Sequence, residues 1–304
     1  MMSKRRSASF ILVDVLLILM ILLPLFCGMV IKILTTPPTD EISIAGAQIY
    51  FIVPMPLQDM PITESQVNSW LVILSLLGVC LYLTHGLSPT CETRRQHFAE
   101  MIVEATDNMV NSNMGAYFKA FSPFICAIMA LSAFSSLLTL IGLYPPTSDL
   151  NVVGGWALLV FFLITYYKFK CGPIHYLKSF AEPPALTPLN VISEIATPIS
   201  MAFRHYGNVL SGSVISVLLA AALGGLSVTL FGNLPGILGK LPQVFPILRV
   251  GIPAILSLYF DIFSGCLQAF IFAMLTMLYV AGAFPAEDYA RKMEKIKNKN
   301  KKTN

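Results

Sequence analysis

Apolar residues in this chain form long unbroken blocks and do not follow the spacing of an ordinary amphipathic helix or strand. A bilayer core of about 30 Å requires about 20 apolar residues for each helical span. By this measure the sequence predicts spans near 9–33, 68–86, 116–143 and 152–169, followed by two longer apolar tracts near 186–231 and 245–284. We therefore predict an all-α membrane protein with about six membrane-crossing helices.

The two C-terminal tracts are too long for ordinary spans. A helix of about 40 residues measures about 60 Å, which is twice the hydrocarbon thickness. Each tract must then be either a helical hairpin or one helix tilted far beyond the usual angle of about 20°. Gly224 and Gly225 could bend the first tract, but its first polar break comes only at 232–235. We expect two long, strongly tilted helices that cross the membrane once each.

Two segments between the spans have a different character. The segment 35–67 contains five prolines and is expected to be an external loop without regular structure. The segment 97–112 carries an apolar face at helical spacing opposite acidic residues, which is typical of an amphipathic helix lying in the membrane interface. A short soluble helix is the alternative for this segment, and its acidic face argues against anionic lipid as its anchor.

The distribution of charge predicts the orientation of the chain. The sequence is 56% hydrophobic and 12% charged, which excludes a soluble globular domain. Basic residues cluster before the first span, after the second and fourth spans, and in the tail 285–304, whereas 35–67 has no Lys or Arg. The positive-inside rule then predicts that both termini lie in the cytoplasm, with an even number of crossings.

The N-terminal segment 1–34 has the basic start and apolar stretch that also describe a signal peptide. The stretch is longer than a usual signal core, contains Asp14 and lacks a small-x-small cleavage site. We therefore expect an uncleaved signal-anchor helix, followed by the external loop 35–67, a core domain over 68–284 and a basic cytoplasmic tail over 285–304.

Six cysteines are scattered along the chain, mostly inside spans, and no two of them form a CxxC pair. This pattern suggests neither a disulfide framework nor a metal cage. We expect no cofactor, and membrane lipid but no nucleic acid as a partner.

Charged residues at membrane depth mark the candidate chemistry, because each costs at least about 2.5–3.5 kcal/mol on insertion scales. Glu194, Arg204 and Asp261 are charges of this kind, and Arg249 is nearer a membrane face. Arg204 shares a helical face with Asn208, one turn later. On the last tract polar residues recur at i, i+4, i+7 and i+11, namely Ser257, Asp261, Ser264 and Gln268.

Two interpretations of these polar residues are open. An Arg204–Asp261 ion pair could simply tie the two long helices together. Alternatively, two polar stripes packed inward would surround water or an ion path. The uncharged hydrogen-bonding residues extend beyond any single pair, which favours a lined route.

Four segments in order resemble one family. The run Pro198–Gly212 has an arginine, two hydrophobic or aromatic residues and then Gly-Asn, and this resembles the signature of subunit a of F-type ATP synthases. The segments Gly142–Asn151, Pro188–Glu194 and Gln268–Tyr279 are similar to other segments of the same family. Any one of these matches would be weak, but four that keep the family's order from residue 142 to residue 279 are strong.

The resemblance implies a mechanism. In this family two long tilted helices pack against a rotating ring of c subunits, and an arginine sits between two aqueous half-channels. Arg204 takes the position of that arginine, Asn208, Asp261 and Gln268 would line the external half-channel, and Glu194 would lie on the cytoplasmic side. Ser264 belongs to the same stripe. The resemblance also implies c-ring, b-subunit and F1 partners in a bacterial plasma membrane, and no catalytic site within this chain.

The sequence departs from the family pattern at several positions. The family often pairs an acidic residue with a histidine across the two long helices, but here Ser213 stands nine residues after Arg204, opposite Asp261. His205 follows the arginine where the family usually has an apolar residue, and its spacing of about 100° predicts that it points to a different face in a structural role.

Two other classes of membrane protein are alternatives. A secondary transporter or channel would also use polar stripes, but such folds usually show internal repeats, and no such symmetry is evident in this sequence. An intramembrane enzyme would need a nucleophile–base set or metal ligands, yet the sequence lacks an HExxH motif and its four histidines are dispersed.

Overall fold

The computed structural model describes residues 8–35, 46–56, 58–88, 93–170, 187–231, 255–256 and 258–284. Within these ranges the chain forms seven α-helices and one β-hairpin. The helices are α1 (Ala8–Thr35), α2 (Glu64–Thr84), α3 (Arg94–Met114), α4 (Ser122–Leu137), α5 (Leu150–Lys170), α6 (Thr187–Phe231) and α7 (Gly265–Ala283). Short 3₁₀ turns flank α4 at Ala116–Phe121 and Leu138–Ile141, another lies at Pro146–Ser148, and a π-helical turn at Leu258–Ser264 leads into α7.

Six helical segments in the described ranges are long and apolar enough to cross a membrane. They are Ser9–Thr35, Glu64–Thr84, Ala116–Ile141, Leu150–Lys170, Thr187–Ser227 and Leu258–Ala283. Their positions match the six apolar tracts of the sequence, so the predicted class and the predicted number of spans are confirmed. The hydropathy pattern was sufficient because a lipid-facing helix must be apolar over most of its surface.

The amphipathic helix predicted over 97–112 is present as α3. Its inward face buries Thr106, Val110 and Met114, which are four residues apart, while Phe98 and Met101 are about half exposed. Thr93 caps the helix, because its hydroxyl accepts a hydrogen bond from the backbone N–H of Gln96 at 3.3 Å. An apolar outer edge on an otherwise polar helix suits the membrane interface.

The expectation that 35–67 lacks regular structure is wrong. Strands β1 (Ile49–Val53) and β2 (Met60–Thr63) pair antiparallel, with a register irregularity between Ile49 and Phe51. Two of the prolines, Pro54 and Pro56, lie in the connection between the strands. Pro61 lies within β2, which is an edge strand in a two-stranded sheet, and edge strands tolerate proline because half of their N–H groups need no partner.

The first long apolar tract is a single helix. Helix α6 runs for 45 residues without interruption through Gly224 and Gly225. At a rise of 1.5 Å per residue it is about 67 Å long, so it can stay within a bilayer core of about 30 Å only if it is strongly inclined. The hairpin alternative is excluded for this tract. The second tract is described only from residue 255 onward, so its beginning, Arg249 and Ser257 lie outside the described residues.

The N-terminal helix α1 is packed along α2. The hydroxyl of Ser75 donates to the carbonyl of Ile21 at 2.9 Å, and the backbones approach so closely at Gly78 that a Cβ there would lie 3.2 Å from the backbone nitrogen of Ile21. Ion pairs fasten α1 near both ends, from Lys32 Nζ to Glu64 Oε1 at 3.2 Å and from Asp14 Oδ1 to Arg95 Nη1 at 2.8 Å. The helix is thus part of the same packed body as the core.

The main core lies where α4, α5, α6 and α7 meet. It contains fully buried side chains from each helix, including Ile125, Val153, Met201 and Phe272. Helices α4 and α7 come so close that a Cβ at Gly265 would lie 2.7 Å from the Cβ of Ser136. Small residues at such crossings allow close backbone contact between membrane helices, where dispersion and polar contacts replace the hydrophobic effect.

We predict that Gly265→Ala destabilises the folded protein by about 1–3 kcal/mol, because the added methyl group has no room against the Cβ of Ser136. The thermal unfolding midpoint of the purified protein measures this effect. Gly154→Ala in α5 is the matched control, since a Cβ at Gly154 meets nothing within 4 Å. Equal midpoints for the two variants would contradict the proposed tight crossing.

Candidate functional site

Arg204 lies on the exposed face of α6, near the middle of the described helix bundle. Exposed residues that lie within about 40° of Arg204 around the helix are both polar and apolar: Ser193, Ser200, Ser211, Ile215 and Leu218. Met201, Ala202 and His205 are buried, at about 60° to 160° around the helix from Arg204. The predicted difference in direction between Arg204 and His205 is therefore seen, and it follows from the angular step of an α-helix.

Arg204 has no hydrogen bond or ion pair with any other residue that the structure describes. The described ion pairs join Lys32 to Glu64, Lys168 to Glu194, and Asp14 to both His85 and Arg95. The described ranges thus provide no support for an Arg204–Asp261 ion pair that ties the long helices together. The guanidinium lies on an exposed surface of α6 that carries serine as well as apolar side chains.

Four of the predicted site residues line one small crevice between α6, the end of α4 and the π-helical turn. These are Asn208, Ser213, Asp261 and Ser264. The amide of Asn208 pairs with the hydroxyl of Ser264, at 3.0 Å from Nδ2 to Oγ and 3.2 Å from Oγ to Oδ1. The space open to water in this crevice is about 20 Å³, which is enough for about one water molecule.

The π-helical turn changes the geometry of the predicted polar stripe. The stripe assumed α-helical spacing, but Asp261 and Ser264 both lie within the wider turn Leu258–Ser264. A π turn inserts residues into the helical repeat, and such turns are frequent at functional sites. Asp261 and Ser264 still reach the same crevice, whereas Gln268 lies one α-helical turn further on and is buried at 4% exposure.

Glu194 lies away from the crevice and faces a second cavity. Its Oε2 is 2.5 Å from the Nζ of Lys168 in the last turn of α5. The cavity beside this pair has a volume of about 220 Å³ and is also lined by Thr197, Tyr279 and Gly282. Measured along α6 at 1.5 Å per residue, Glu194 lies about 15 Å before Arg204 and Asn208 about 6 Å after it. The two polar openings therefore lie on opposite sides of Arg204 along the helix.

From the sequence, Ser135 and Ser136 are identified only as residues near a position where the family usually has an asparagine, and the hydroxyl face that they form at the end of α4 was not predicted. Ser136 and Thr139 line the crevice with Asp261, and Ser132 and Ser135 are completely buried in the same face. A signal was present, because four hydroxyl residues at positions 132, 135, 136 and 139 share one side of an apolar helix. Ser213, by contrast, turns back on its own helix, and its hydroxyl donates to the carbonyl of Leu210 at 2.8 Å.

A second polar cluster holds the α4–α5 connection against the start of α2. Glu64 is 3% exposed, and its carboxylate accepts from the backbone N–H of Tyr144 at 3.3 Å as well as pairing with Lys32. Asn68 Nδ2 donates to the carbonyl of Tyr144 at 2.8 Å, and Ser65 donates to Asp149. Burial, and then the nearby Asp149 carboxylate, raise the pKa of the Tyr144 phenol, so it stays neutral.

Within the described residues, no group of three or more His, Cys, Asp or Glu side chains is arranged to hold a metal ion. The polar groups beside Asp261 are hydroxyls and one amide, which can donate and accept hydrogen bonds. Asp261 is the one titratable side chain among the described residues that line the crevice. The arrangement is suited to a small hydrated path next to a fixed positive charge.

Several known proteins that are similar to this chain belong to one family. The profile of the family described as ATP synthase A chain matches residues 66–281. A relative from Propionigenium modestum, described as ATP synthase subunit a, sodium ion specific, is 29% identical over 84% of this chain and 89% of its own length. Relatives described as ATP synthase subunit a from Bacillus pumilus and subunit a 1 from Chlorobaculum parvum are 30% and 31% identical, over 69% and 71% of this chain and 86% of their own lengths.

The family match covers more than half of the chain and includes α2 to α7, the crevice and Arg204. With its membrane-spanning helices and its arginine on α6, the chain belongs to the family of ATP synthase subunit a, the ion-translocating membrane subunit of the Fo sector.

Proposed function

We propose that this chain is the stator subunit that gives a rotating ring of c subunits access to two ion half-channels, with Arg204 as the essential charge between them. The observation that carries the proposal is the position of Arg204. It is a permanent charge on the exposed side of a mostly apolar helix, and it has no partner in the described part of the chain.

The partner of Arg204 should be an anion on another chain. Leaving a guanidinium in contact with lipid costs at least about 2.5–3.5 kcal/mol, and an opposed carboxylate removes much of that cost. Within the membrane such a carboxylate would come from a ring of c subunits packed on this face. A guanidinium has a pKa above about 12 and stays charged, so it favours the ionised form of each carboxylate that passes it.

The same charge also explains the separation of the two routes. A cation that moves directly from one opening to the other has to pass the fixed positive charge, which repels it. A ring carboxylate can instead carry the ion around the ring from one opening to the other. Arg204 thereby couples ion flow to rotation and prevents a direct leak.

The residues of the crevice would form the external half-channel. In this assignment Asp261 supplies a titratable carboxylate, while Asn208, Ser264 and Ser213 offer oxygen and nitrogen atoms that can solvate an ion or hold water. Gln268 lies one turn further along α7. The hydrogen bond between Asn208 and Ser264 supports this assignment, because it brings the polar faces of the two long helices together.

Glu194 and the cavity beside it would form the cytoplasmic half-channel. Lys168 and Lys170 in the last turn of α5 support this side assignment, since basic residues accumulate at cytoplasmic ends. Both termini would then lie in the cytoplasm of a bacterial cell. The expected partners are the c-ring, the b subunits and the F1 sector.

We expect Arg204→Ala to abolish ATP-driven ion pumping in reconstituted vesicles while the complex still assembles, because a ring carboxylate would lose its electrostatic counterpart. Proton uptake and ²²Na⁺ uptake should both be measured, since the relative from P. modestum is described as sodium ion specific. Ile215→Ala is the control, because Ile215 is exposed on the same face, eleven residues after Arg204, and carries no charge. Full coupled pumping by an assembled Arg204→Ala complex would disprove the proposed role.

We also expect Asp261→Asn to slow passive ion flow through Fo stripped of F1, because it removes the carboxylate from the crevice. Asp261→Glu should restore much of the flow by returning a titratable group. Asp59→Asn, in the connection between β1 and β2 outside the spans, should change nothing. Unaltered conductance in Asp261→Asn vesicles would remove Asp261 from the route.

A further inference from the structure

His205 is the residue next to Arg204, and it is completely buried on the opposite side of α6. Its Nε2 lies 3.3 Å from the hydroxyl of Ser132 on α4, within hydrogen-bonding distance. The imidazole also makes edge-to-face contacts with Trp156 on α5 and Phe272 on α7, at centroid distances of 6.0 and 5.5 Å. One side chain thus connects α6 to three other helices.

Burying an imidazole at this point has an energetic cost. Nδ1 of His205 is buried and has no hydrogen-bond partner among the residues that the structure describes. An apolar side chain would fill the same space without leaving a polar atom unsatisfied. The imidazole therefore contributes a fixed orientation. One hydrogen bond and two edge-to-face aromatic contacts restrict the orientation of its ring more narrowly than apolar packing does.

The rotation of α6 about its own axis depends on few contacts. Glu194 pairs with Lys168 and Asn208 with Ser264, and each of these contacts joins α6 to one neighbouring element only. Much of the helix is exposed, and three of its buried residues, Met201, Ala202 and His205, lie next to Arg204 along the chain. Met201 and Ala202 are apolar and would tolerate a small rotation. With a side-chain radius of about 5–6 Å, a rotation of about 20° would move the end of a side chain by about 2 Å. A shift of that size matters for a charge that has to meet a passing carboxylate.

We propose that His205 is a positioning residue for Arg204, and that its contacts with Ser132, Trp156 and Phe272 fix the rotation of α6 so that the guanidinium faces outward. This inference rests on the proposed function of Arg204. His205 itself touches neither the ion nor the ring. Its effect is transmitted through the rigid helix, since neighbouring residues keep a fixed angle of about 100°.

The test compares two substitutions at position 205 in the whole ATP synthase complex reconstituted into vesicles. His205→Gln keeps a nitrogen donor near the position of Nε2, whereas His205→Leu keeps an apolar volume and removes the hydrogen bond. The measured quantity is the number of ions pumped per ATP hydrolysed, for equal amounts of assembled complex. A residue that only stabilised the fold would change the amount of complex and not this ratio.

One hydrogen bond shifts the equilibrium between the aligned and misaligned rotations of α6 by about two- to tenfold. We therefore expect His205→Leu to lower the coupling ratio by more than about twofold and by no more than about tenfold. His205→Gln should stay within about twofold of the unmodified protein because the bond to Ser132 can form. Ser132→Ala should reproduce the loss, and the double variant with His205→Leu should be no worse than either single variant.

Met201→Ala is the packing control, because Met201 is 2% exposed on the same buried face, one turn away. It should lower the amount of complex and leave the coupling ratio unchanged. The inference is wrong if His205→Leu keeps the normal ratio, if His205→Gln falls as far as His205→Leu, or if Met201→Ala falls equally far. Each of these results leaves the proposed role of Arg204 intact, since that role fails only if Arg204→Ala complexes pump.

Discussion

A permanent positive charge on the exposed side of a membrane-spanning helix is the constraint on which the proposed function depends. A guanidinium cannot lose its proton at this depth, so it has to be neutralised by an opposite charge or reached by water. The described part of the chain places acidic groups on either side of Arg204 along α6 but pairs none of them with it. Glu194 is already paired with Lys168, and Asp261 lies in the crevice beside Asn208. In the proposed function, the charge is directed toward a carboxylate of another chain.

The helix packing follows from that requirement. Helix α6 has to be buried enough to stay in place and exposed enough to present one face, so its contacts are concentrated on the side that carries Met201, Ala202 and His205. Helices α4 and α7 form the firm support behind it, with Gly265 against Ser136 at their close crossing. The same small residues that allow this approach bring hydroxyl groups next to Asp261, so close packing and the polar crevice have a common origin.

The membrane class, the six spans and the single long helix could be predicted from the sequence because each depends on composition along the chain. The outward direction of Arg204 relative to His205 could also be predicted, since it depends only on helical periodicity. The hairpin could not be predicted in this way, because proline at Pro61 is acceptable only when the strand is an edge. The π-helical turn at Asp261 leaves no local signal either, and it shifted the register that the polar stripe had assumed. Contacts between helices, such as Asn208 with Ser264, depend on both partners at once.

The contacts of Ser213 show why contacts matter more than single positions. The Ser213 hydroxyl is used within α6 itself, in its bond to Leu210. The polar lining beside Asp261 comes instead from Ser136 on α4, from Thr139 in the 3₁₀ turn that follows α4, and from Ser264 on the π-helical turn. A polar environment built where three structural elements meet does not depend on any one of them to supply a particular side chain. A comparison limited to the two long helices therefore leaves out the end of α4, which supplies the third side of the crevice. It also leaves out the hydroxyl groups that this third side places beside Asp261 in this chain.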